Sequence, residues 1–188
     1  LLQNEAVANK YGFTIESFRT MFLPNTYQMF WNISPEQFIE KMYNEYNTFW
    51  NKDRVEKAEN IGLSLAEVSI LASIVEGETT KKDEMATIAG VYINRLNRGM
   101  LLQADPTVVY ALQDFNIKRV LTKHLEIDSH YNTYKYLGLP PGPIRYPEPN
   151  TIDAVLNYQK HDFIFMCAKA DFSGYHAFAK NAREHGIN

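Results

Sequence analysis

The chain has 188 residues, of which 45% are hydrophobic and 13% aromatic, and its formal net charge at pH 7 is −3. This composition is sufficient for the core of one ordinary domain and excludes an intrinsically disordered chain. The negative net charge, without any basic cluster, argues against binding by phosphate neutralisation, so we expect no nucleic-acid partner. The single cysteine, Cys167, excludes an internal disulfide and a cysteine-only metal site.

The first 60 residues are predicted to form a smaller N-terminal part. The stretch 14–22 favours a short helix, and TYQMFWNI at 26–33 is typical of a strand because it is rich in aromatic and β-branched residues. Ser34, Pro35 and Glu36 supply an N-cap, a first-turn proline and a first-turn acid. This pattern predicts a helix that ends near residue 50.

The segment LASIVEGETT, residues 71–80, places carboxylates on an otherwise apolar helix. Ser64 and Glu67 have the spacing of a capping box, which predicts that this helix begins there. Glu76 falls at one edge of the apolar arc and Glu78 near the other, roughly 160° away. A general acid must be a carboxyl group that stays protonated near neutral pH, and burial favours that state. Glu76 is the candidate acid; the alternative is a boundary residue that reaches water.

The second half of the chain combines short helices with a long loop. The pattern predicts a helix over 82–97, a short helix from 105, a helix capped by Thr151, and two strands at 163–169 and 175–179. About 40 residues, from 113 to 150, show little regular structure, which indicates a loop that serves a site. Asn132 and Tyr134 precede a proline-rich turn, and their hydrogen-bonding side chains are suited to binding a saccharide. The alternative is a structural Ω-loop packed by its own tyrosines.

Four segments of the sequence, in this order along the chain, resemble those of a known protein family. They are LASIVEGET, IAGVYINRLNRGMLLQADPTVVYAL, YNTYKYLGLPPGPI and YHAFAKNAREH. From about residue 63 onward the chain resembles the YceG-like (MltG) endolytic murein transglycosylases. We expect an α+β fold: a helix-rich catalytic domain over 61–188 with a small antiparallel sheet and a long ordered loop, preceded in 1–60 by part of a LysM-like subdomain. The chain departs from the family at 145–149, where RYPEP replaces Asn-Pro-Gly.

The resemblance implies a bacterial cell-wall enzyme, a lyase. Such an enzyme cuts peptidoglycan glycan strands internally between N-acetylmuramic acid and N-acetylglucosamine, leaves a 1,6-anhydro end and terminates nascent strands. Glu76 matches the family's catalytic acid. One carboxyl group is enough, because the sugar's own 6-hydroxyl acts as the nucleophile. The resemblance also implies a parent protein at the outer face of the cytoplasmic membrane, held by a single-pass anchor outside this chain, with cell-wall synthases as candidate partners.

Five further residues are candidates for substrate binding: Gln103, Asp105, Asn132, Tyr134 and His176. We expect the first four to converge with Glu76 on one concave surface, with His176 facing the same cleft from the last strand. Asp105 has an alternative role as the N-cap beside Pro106. The five histidines show no ligand spacing with acids, so we expect no metal and no other cofactor.

Two other functions stay open at this point. A non-catalytic glycan-binding module would keep the tyrosine-rich loop but would not need Glu76 beside the core. A pyridoxal-phosphate-dependent aminodeoxychorismate lyase would need a Schiff-base lysine and a phosphate cradle. The lysines of this chain lie in polar or terminal stretches, and no glycine-rich loop opens a helix, so the sequence disfavours the lyase.

Overall fold

A computed structural model describes residues 2–187 and shows helices arranged around one central helix, with a single small sheet. The α-helices are α1 Glu5–Lys10, α2 Pro35–Phe49, α3 Lys52–Ile61, α4 Leu65–Glu78, α5 Met85–Asn97, α6 Asp105–Leu112, α7 Pro149–Leu156 and α8 Ala182–His185. Short 3-10 helices cover Ser17–Met21 and Thr122–Glu126, and the strands are β1 Phe165–Ala168 and β2 His176–Ala179. The predicted α+β class is confirmed.

Helix α4 forms the centre of the hydrophobic core. The predicted capping box is present, since Ser64 accepts from the Glu67 amide and the Glu67 side chain accepts from the Ser64 amide. Every residue from Val68 to Val75 is buried, so the helix is surrounded on all sides. It packs against α3, α5, α6, α7 and the first 3-10 helix. The helix begins where the capping box predicted, but its apolar surface is not confined to one arc.

The N-terminal residues join the same core. Helix α2 starts with the predicted cap at Ser34 and contributes Ile39, Met42 and Tyr46 to the core. The predicted strand at 26–33 is wrong, because residues 22–34 form neither helix nor strand. Aromatic and β-branched residues form a strand only where a partner strand is available. The assignment of 1–60 to a LysM-like subdomain stays a prediction.

Helix α3 was not predicted from the sequence. Its segment, KDRVEKAENI, is strongly charged, and only Val55, Ala58 and Ile61 pack on the core. Two contacts hold it in place: Asn51 caps its N-terminus, and Arg54 makes a two-pronged ion pair with Asp153 of α7 at 2.7 and 2.9 Å. Within residues 2–187 no single helix is long and apolar enough to cross a bilayer. Helices α3 and α4 reach that length and composition only as a pair bent by 79°.

The C-terminal half places a hairpin beside α5. The strands pair antiparallel from Phe165 opposite Ala179 to Ala168 opposite His176, inside the predicted ranges. Helix α7 begins at Pro149 rather than with a cap at Thr151, which lies inside the helix. The region 113–148 contains one short 3-10 helix and otherwise turns and loops, as predicted.

Close packing of α5 on the segment 159–161 gives a test of the fold. A methyl group at Gly90 would lie 2.5 Å from the Gln159 carbonyl oxygen and 2.6 Å from His161 Nε2. We expect Gly90→Ala to lower the free energy of unfolding by about 1–3 kcal/mol in urea denaturation, as overpacking does. In the control Gly186→Ala, where the nearest atom would be 3.5 Å away, we expect a change below about 0.5 kcal/mol. Equal stabilities of the two variants would contradict this packing.

Candidate active site

A cavity of about 310 Å³ lies between the end of α4, helix α5, the start of α6 and the hairpin. Its polar lining consists of Glu78, Tyr92, Arg95, Gln103, Asp105, Tyr134 and His176. Four of the five predicted substrate-binding residues therefore lie on one concave surface, although they are distant in sequence. The two residues that were expected there and are absent from the lining are Glu76 and Asn132.

Glu78 supplies the carboxyl group of this cavity. Its Oε1 accepts a hydrogen bond of 2.6 Å from the Tyr92 hydroxyl. Glu76 and Glu78 point in different directions from the last turn of α4, as their spacing predicts. The cavity, however, is on the side of Glu78. The prediction that Glu76 converges with the substrate-binding residues is therefore wrong, and the cavity contains the carboxyl group of Glu78 instead.

The Glu76 carboxylate joins the end of α4 to the start of α7. Its Oε2 accepts from the Glu148 backbone amide at 2.7 Å and from the Thr151 hydroxyl at 2.8 Å. The Glu76 backbone carbonyl accepts from Arg145 at 3.1 Å. A carboxylate at a helix N-terminus is stabilised by the free amides and the helix dipole. These donors account for a carboxylate beside the core without a catalytic role, and one of them, the Glu148 amide, belongs to the segment 145–149 where the sequence departs from the family pattern.

The surroundings of Glu78 favour its protonated form. Burial is the largest cause and raises the pKa of Glu78 to about 7, and the negative charge of Asp105 acts in the same direction. The Tyr92 hydrogen bond, the neighbouring His176 and the positive charge of Arg95 act against this rise, because they stabilise the carboxylate. Near neutral pH the carboxyl group can therefore both donate and accept a proton, as acid–base catalysis requires.

Asp105 and Tyr134 form a hydrogen-bonded pair on the cavity wall. The Tyr134 hydroxyl donates to Asp105 Oδ1 at 2.6 Å. Burial raises the pKa of Tyr134 above its usual range, and the bond to Asp105 adds to this effect. The alternative role of Asp105 as an N-cap is wrong, since the N-cap of α6 is Ala104 and no side chain caps the helix. The Asp105 carboxylate is therefore free to face the cavity.

Asn132 is part of the loop's internal scaffold. The side chain is completely buried, and its Nδ2 donates to the carbonyls of Leu125 and Ile127 at 2.9 and 2.8 Å. Its Oδ1 accepts from the Tyr134 amide at 3.0 Å. Asn132 thus uses both ends of its amide to hold the loop, and it positions Tyr134 instead of contacting a ligand. The alternative of a self-packed loop is correct for this residue.

Arg95 fixes the segments around the cavity. It is 8% exposed, its Nε donates to the Ile164 carbonyl at 2.7 Å, and its Nη1 donates to the Leu102 carbonyl at 2.6 Å. Desolvation lowers the pKa of this guanidinium, which nevertheless stays charged at any physiological pH. Gln103, the next residue after Leu102, has a left-handed backbone with φ 51°. This turn directs the chain into α6, where Asp105 follows.

Glu84 orients His176, a contact that was not predicted from the sequence. One Glu84 oxygen accepts from the His176 backbone amide at 2.7 Å and the other lies 3.0 Å from His176 Nδ1. Glu84 is 8% exposed and stands 92 positions away in the chain, so no local pattern could predict the pair. Tyr92 was also missed as a site residue, because its spacing in α5 is that of a core residue.

A second cavity, of about 390 Å³, lies on the other side of Glu78 and Asp105. Both residues belong to the linings of both cavities. The Glu78 carboxyl group therefore stands at a junction, with concave surface on either side. This arrangement suits a polymer that is cut within its length, because the chain must extend past the reacting bond in both directions.

Two curated proteins that are similar to this chain bear the same enzyme name. An endolytic murein transglycosylase of Bacillus subtilis (strain 168) is 40% identical over 152 residues, which are 81% of this chain and 41% of that protein. An endolytic murein transglycosylase of Streptococcus pneumoniae (serotype 2, strain D39) is 35% identical over 130 residues, 67% of this chain and 23% of that protein. The chain thus spans less than half the length of these curated relatives.

A solved structure and a family profile agree with these relatives. The crystal structure of a yceG-like protein from Listeria monocytogenes matches with a TM-score of 0.77 and 35% sequence identity, over 89% of this chain and 54% of that one. The profile of the YceG-like family matches residues 2–188. Since this match covers nearly the whole sequence, the chain belongs to the YceG-like family.

Proposed function

We propose that this chain is the catalytic part of an endolytic murein transglycosylase, with Glu78 as its acid–base group. The observation that carries the proposal is a carboxyl group with a pKa of about 7 at the junction of two cavities. Curated relatives at 35–40% identity bear this enzyme name. The substrate would be the peptidoglycan glycan strand, and the site of action the cell envelope.

One carboxyl group is enough for the proposed reaction. The Glu78 carboxyl donates its proton to the glycosidic oxygen as the bond from C1 of N-acetylmuramic acid breaks. The resulting carboxylate then takes the proton of the 6-hydroxyl on the same sugar, and O6 bonds to C1. The products are a free hydroxyl on N-acetylglucosamine and a 1,6-anhydro end, and no water is consumed. The intramolecular nucleophile gains from proximity, which replaces an activated water.

The neighbours of Glu78 support both halves of this cycle. The negative charge of Asp105 favours the protonated acid that begins the reaction, and the Tyr92 hydrogen bond stabilises the carboxylate formed midway. Tyr134, held by Asp105, and Gln103 offer hydrogen-bonding groups for sugar hydroxyls on the same wall. His176, oriented by Glu84, faces the cavity from the hairpin.

The placement of the parent protein belongs to the same proposal. A murein-cleaving enzyme must reach the peptidoglycan, which lies outside the cytoplasmic membrane. We place the active domain at the outer face of that membrane, with an anchor outside this chain and cell-wall synthases as partners. Termination of nascent strands would be the consequence of an internal cut close to the site of synthesis.

Two carboxyl-to-amide variants separate catalysis from structure. Glu78→Gln keeps the shape of the side chain but cannot deliver a proton, so we expect strand cleavage to fall by about 10²–10⁴-fold. In the matched control Glu76→Gln, which keeps an acceptor for Glu148 and Thr151, we expect activity within about tenfold of the unmodified protein and a modest loss of stability. The assay incubates purified glycan strands with protein and quantifies anhydro ends by mass spectrometry.

The outcome distinguishes three cases. Near-normal cleavage by the Glu78→Gln protein would remove Glu78 from the mechanism. A large loss at Glu76 alone would restore the original assignment from the sequence. Binding of strands without any cleavage by the unmodified protein would favour a glycan-binding module.

The two neighbours of Glu78 should shift the pH profile in opposite directions. Activity needs the protonated acid, so kcat/KM should fall as pH rises through the Glu78 pKa near 7. Asp105→Asn removes a charge that raises this pKa, and the alkaline limb should move to lower pH. Tyr92→Phe removes a bond that lowers it, and the limb should move to higher pH. The control Tyr136→Phe removes a similar bond, to Asp128, outside both cavities and should leave the profile unchanged. Shifts in one common direction would contradict the proposed electrostatics.

A further inference from the structure

The second cavity is bordered by cations. Lys118, Arg119 and Arg145 belong to its lining, and all three side chains are exposed. The remaining wall is largely apolar, with Phe115 67% exposed at the surface. The first cavity differs, because its one arginine, Arg95, is buried and engaged with backbone carbonyls. The mechanism proposed above does not use these three exposed cations.

These cations lack acidic partners in the part of the chain that the structure describes. None of Lys118, Arg119 and Arg145 forms a salt bridge over residues 2–187. Arg145 donates one hydrogen bond, to the Glu76 carbonyl, which neutralises no charge. The chain as a whole carries a net charge of −3. A group of unpaired cations on such a chain attracts an anionic ligand by its local potential.

We infer that the second cavity binds a carboxylate-bearing peptide attached to the glycan strand next to the bond that is cut. This inference rests on the proposed function, which brings a glycan strand to Glu78. Sugar hydroxyls and acetamido groups are neutral and give no reason for three free cations. The peptide stems of peptidoglycan carry carboxylates, and they branch from the muramic acid beside the reacting bond.

The position of the cavity favours this occupant. It shares Glu78 and Asp105 with the first cavity. A strand that crosses this junction would therefore place adjacent sugars in the two cavities. A peptide attached to the sugar in the second cavity would then lie against Phe115 and the three cations. The enzyme would then prefer strands that still carry their stems over strands from which the peptides have been removed.

A binding comparison tests the inference separately from catalysis. Fluorescently labelled glycan strands are prepared with intact stems and, by amidase treatment, without stems, and their affinities for the Glu78→Gln protein are measured by fluorescence polarisation. Adding Lys118→Gln and Arg119→Gln should weaken binding of stem-bearing strands by about 3- to 10-fold, the range for two exposed charge contacts. Binding of bare strands should stay within about twofold.

The controls fix what each result means. Lys160→Gln with Arg98→Gln removes two exposed cations outside both cavities and should change neither affinity. Raising the salt concentration should weaken only the binding of stem-bearing strands. Unchanged affinity for these strands in the Lys118/Arg119 variant, or an equal loss for both kinds of strand, would overturn the inference.

A competition experiment tests whether the second cavity prefers a peptide carboxylate to another anion. Free stem peptide should displace stem-bearing strands better than inorganic phosphate at equal ionic strength, and the reverse order would assign the cavity to phosphate chemistry instead. Suppose that cleavage depends on Glu78, but that the protein with Lys118 and Arg119 intact binds stem-bearing and bare strands equally well. This result would overturn the inference about the second cavity and leave the proposed function in place. If neither kind of strand were bound or cleaved by the unmodified protein, the proposed function would be overturned as well.

Discussion

The divergence of two carboxylates at the end of α4 is the constraint on which the site depends. The helix is buried on all sides up to Val75, and Glu76, Gly77 and Glu78, which complete its last turn, are partly buried. One carboxylate, Glu76, is satisfied by an amide and a hydroxyl from the start of α7. The other, Glu78, receives a single short bond from Tyr92 and otherwise faces a cavity. The same helix end thus holds one carboxylate that is bound by α7 and one carboxyl group that faces a cavity.

Gly77, between these two residues, allows α6 to approach. A Cβ atom at this position would lie 2.8 Å from Pro106 Cβ, closer than two carbon atoms can pack. Because Gly77 has no side chain, the start of α6 can pack on the last turn of α4. This contact brings Asp105 near Glu78, where its charge helps to raise the pKa of the acid. The glycine that separates the two glutamates is thus part of the electrostatic design of the site.

Local signals in the sequence were sufficient for much of the fold. Capping boxes at Ser34 and Ser64, and the order of helices around α4, were predicted because caps and periodicity depend on neighbouring residues. The strand at 26–33 was wrong because pairing requires a distant partner that propensity cannot supply. Helix α3 was missed because its segment is mostly charged, and because its ion pair joins Arg54 to Asp153, 99 positions away.

The site shows where sequence reasoning reached its limit. Tyr134 was predicted because polar side chains in a long irregular loop indicate a site, and Asp105, at the start of α6, was predicted to lie on the same surface. The choice between Glu76 and Glu78 could not be made in this way. An apolar arc distinguishes buried from exposed faces of a helix, and here both edge carboxylates are partly buried. Only the contacts of each carboxylate, made with residues 14 to 75 positions away, separate them.

The central claim is that the carboxyl group of Glu78 is held protonated up to neutral pH. The most direct test is an NMR titration of the side-chain carboxyl carbons in protein labelled with ¹³C-glutamate, with the Glu78 signal assigned by its loss in Glu78→Gln. The account predicts a midpoint near pH 7 for this signal. A midpoint near the ordinary glutamate value of about 4.3 would contradict it.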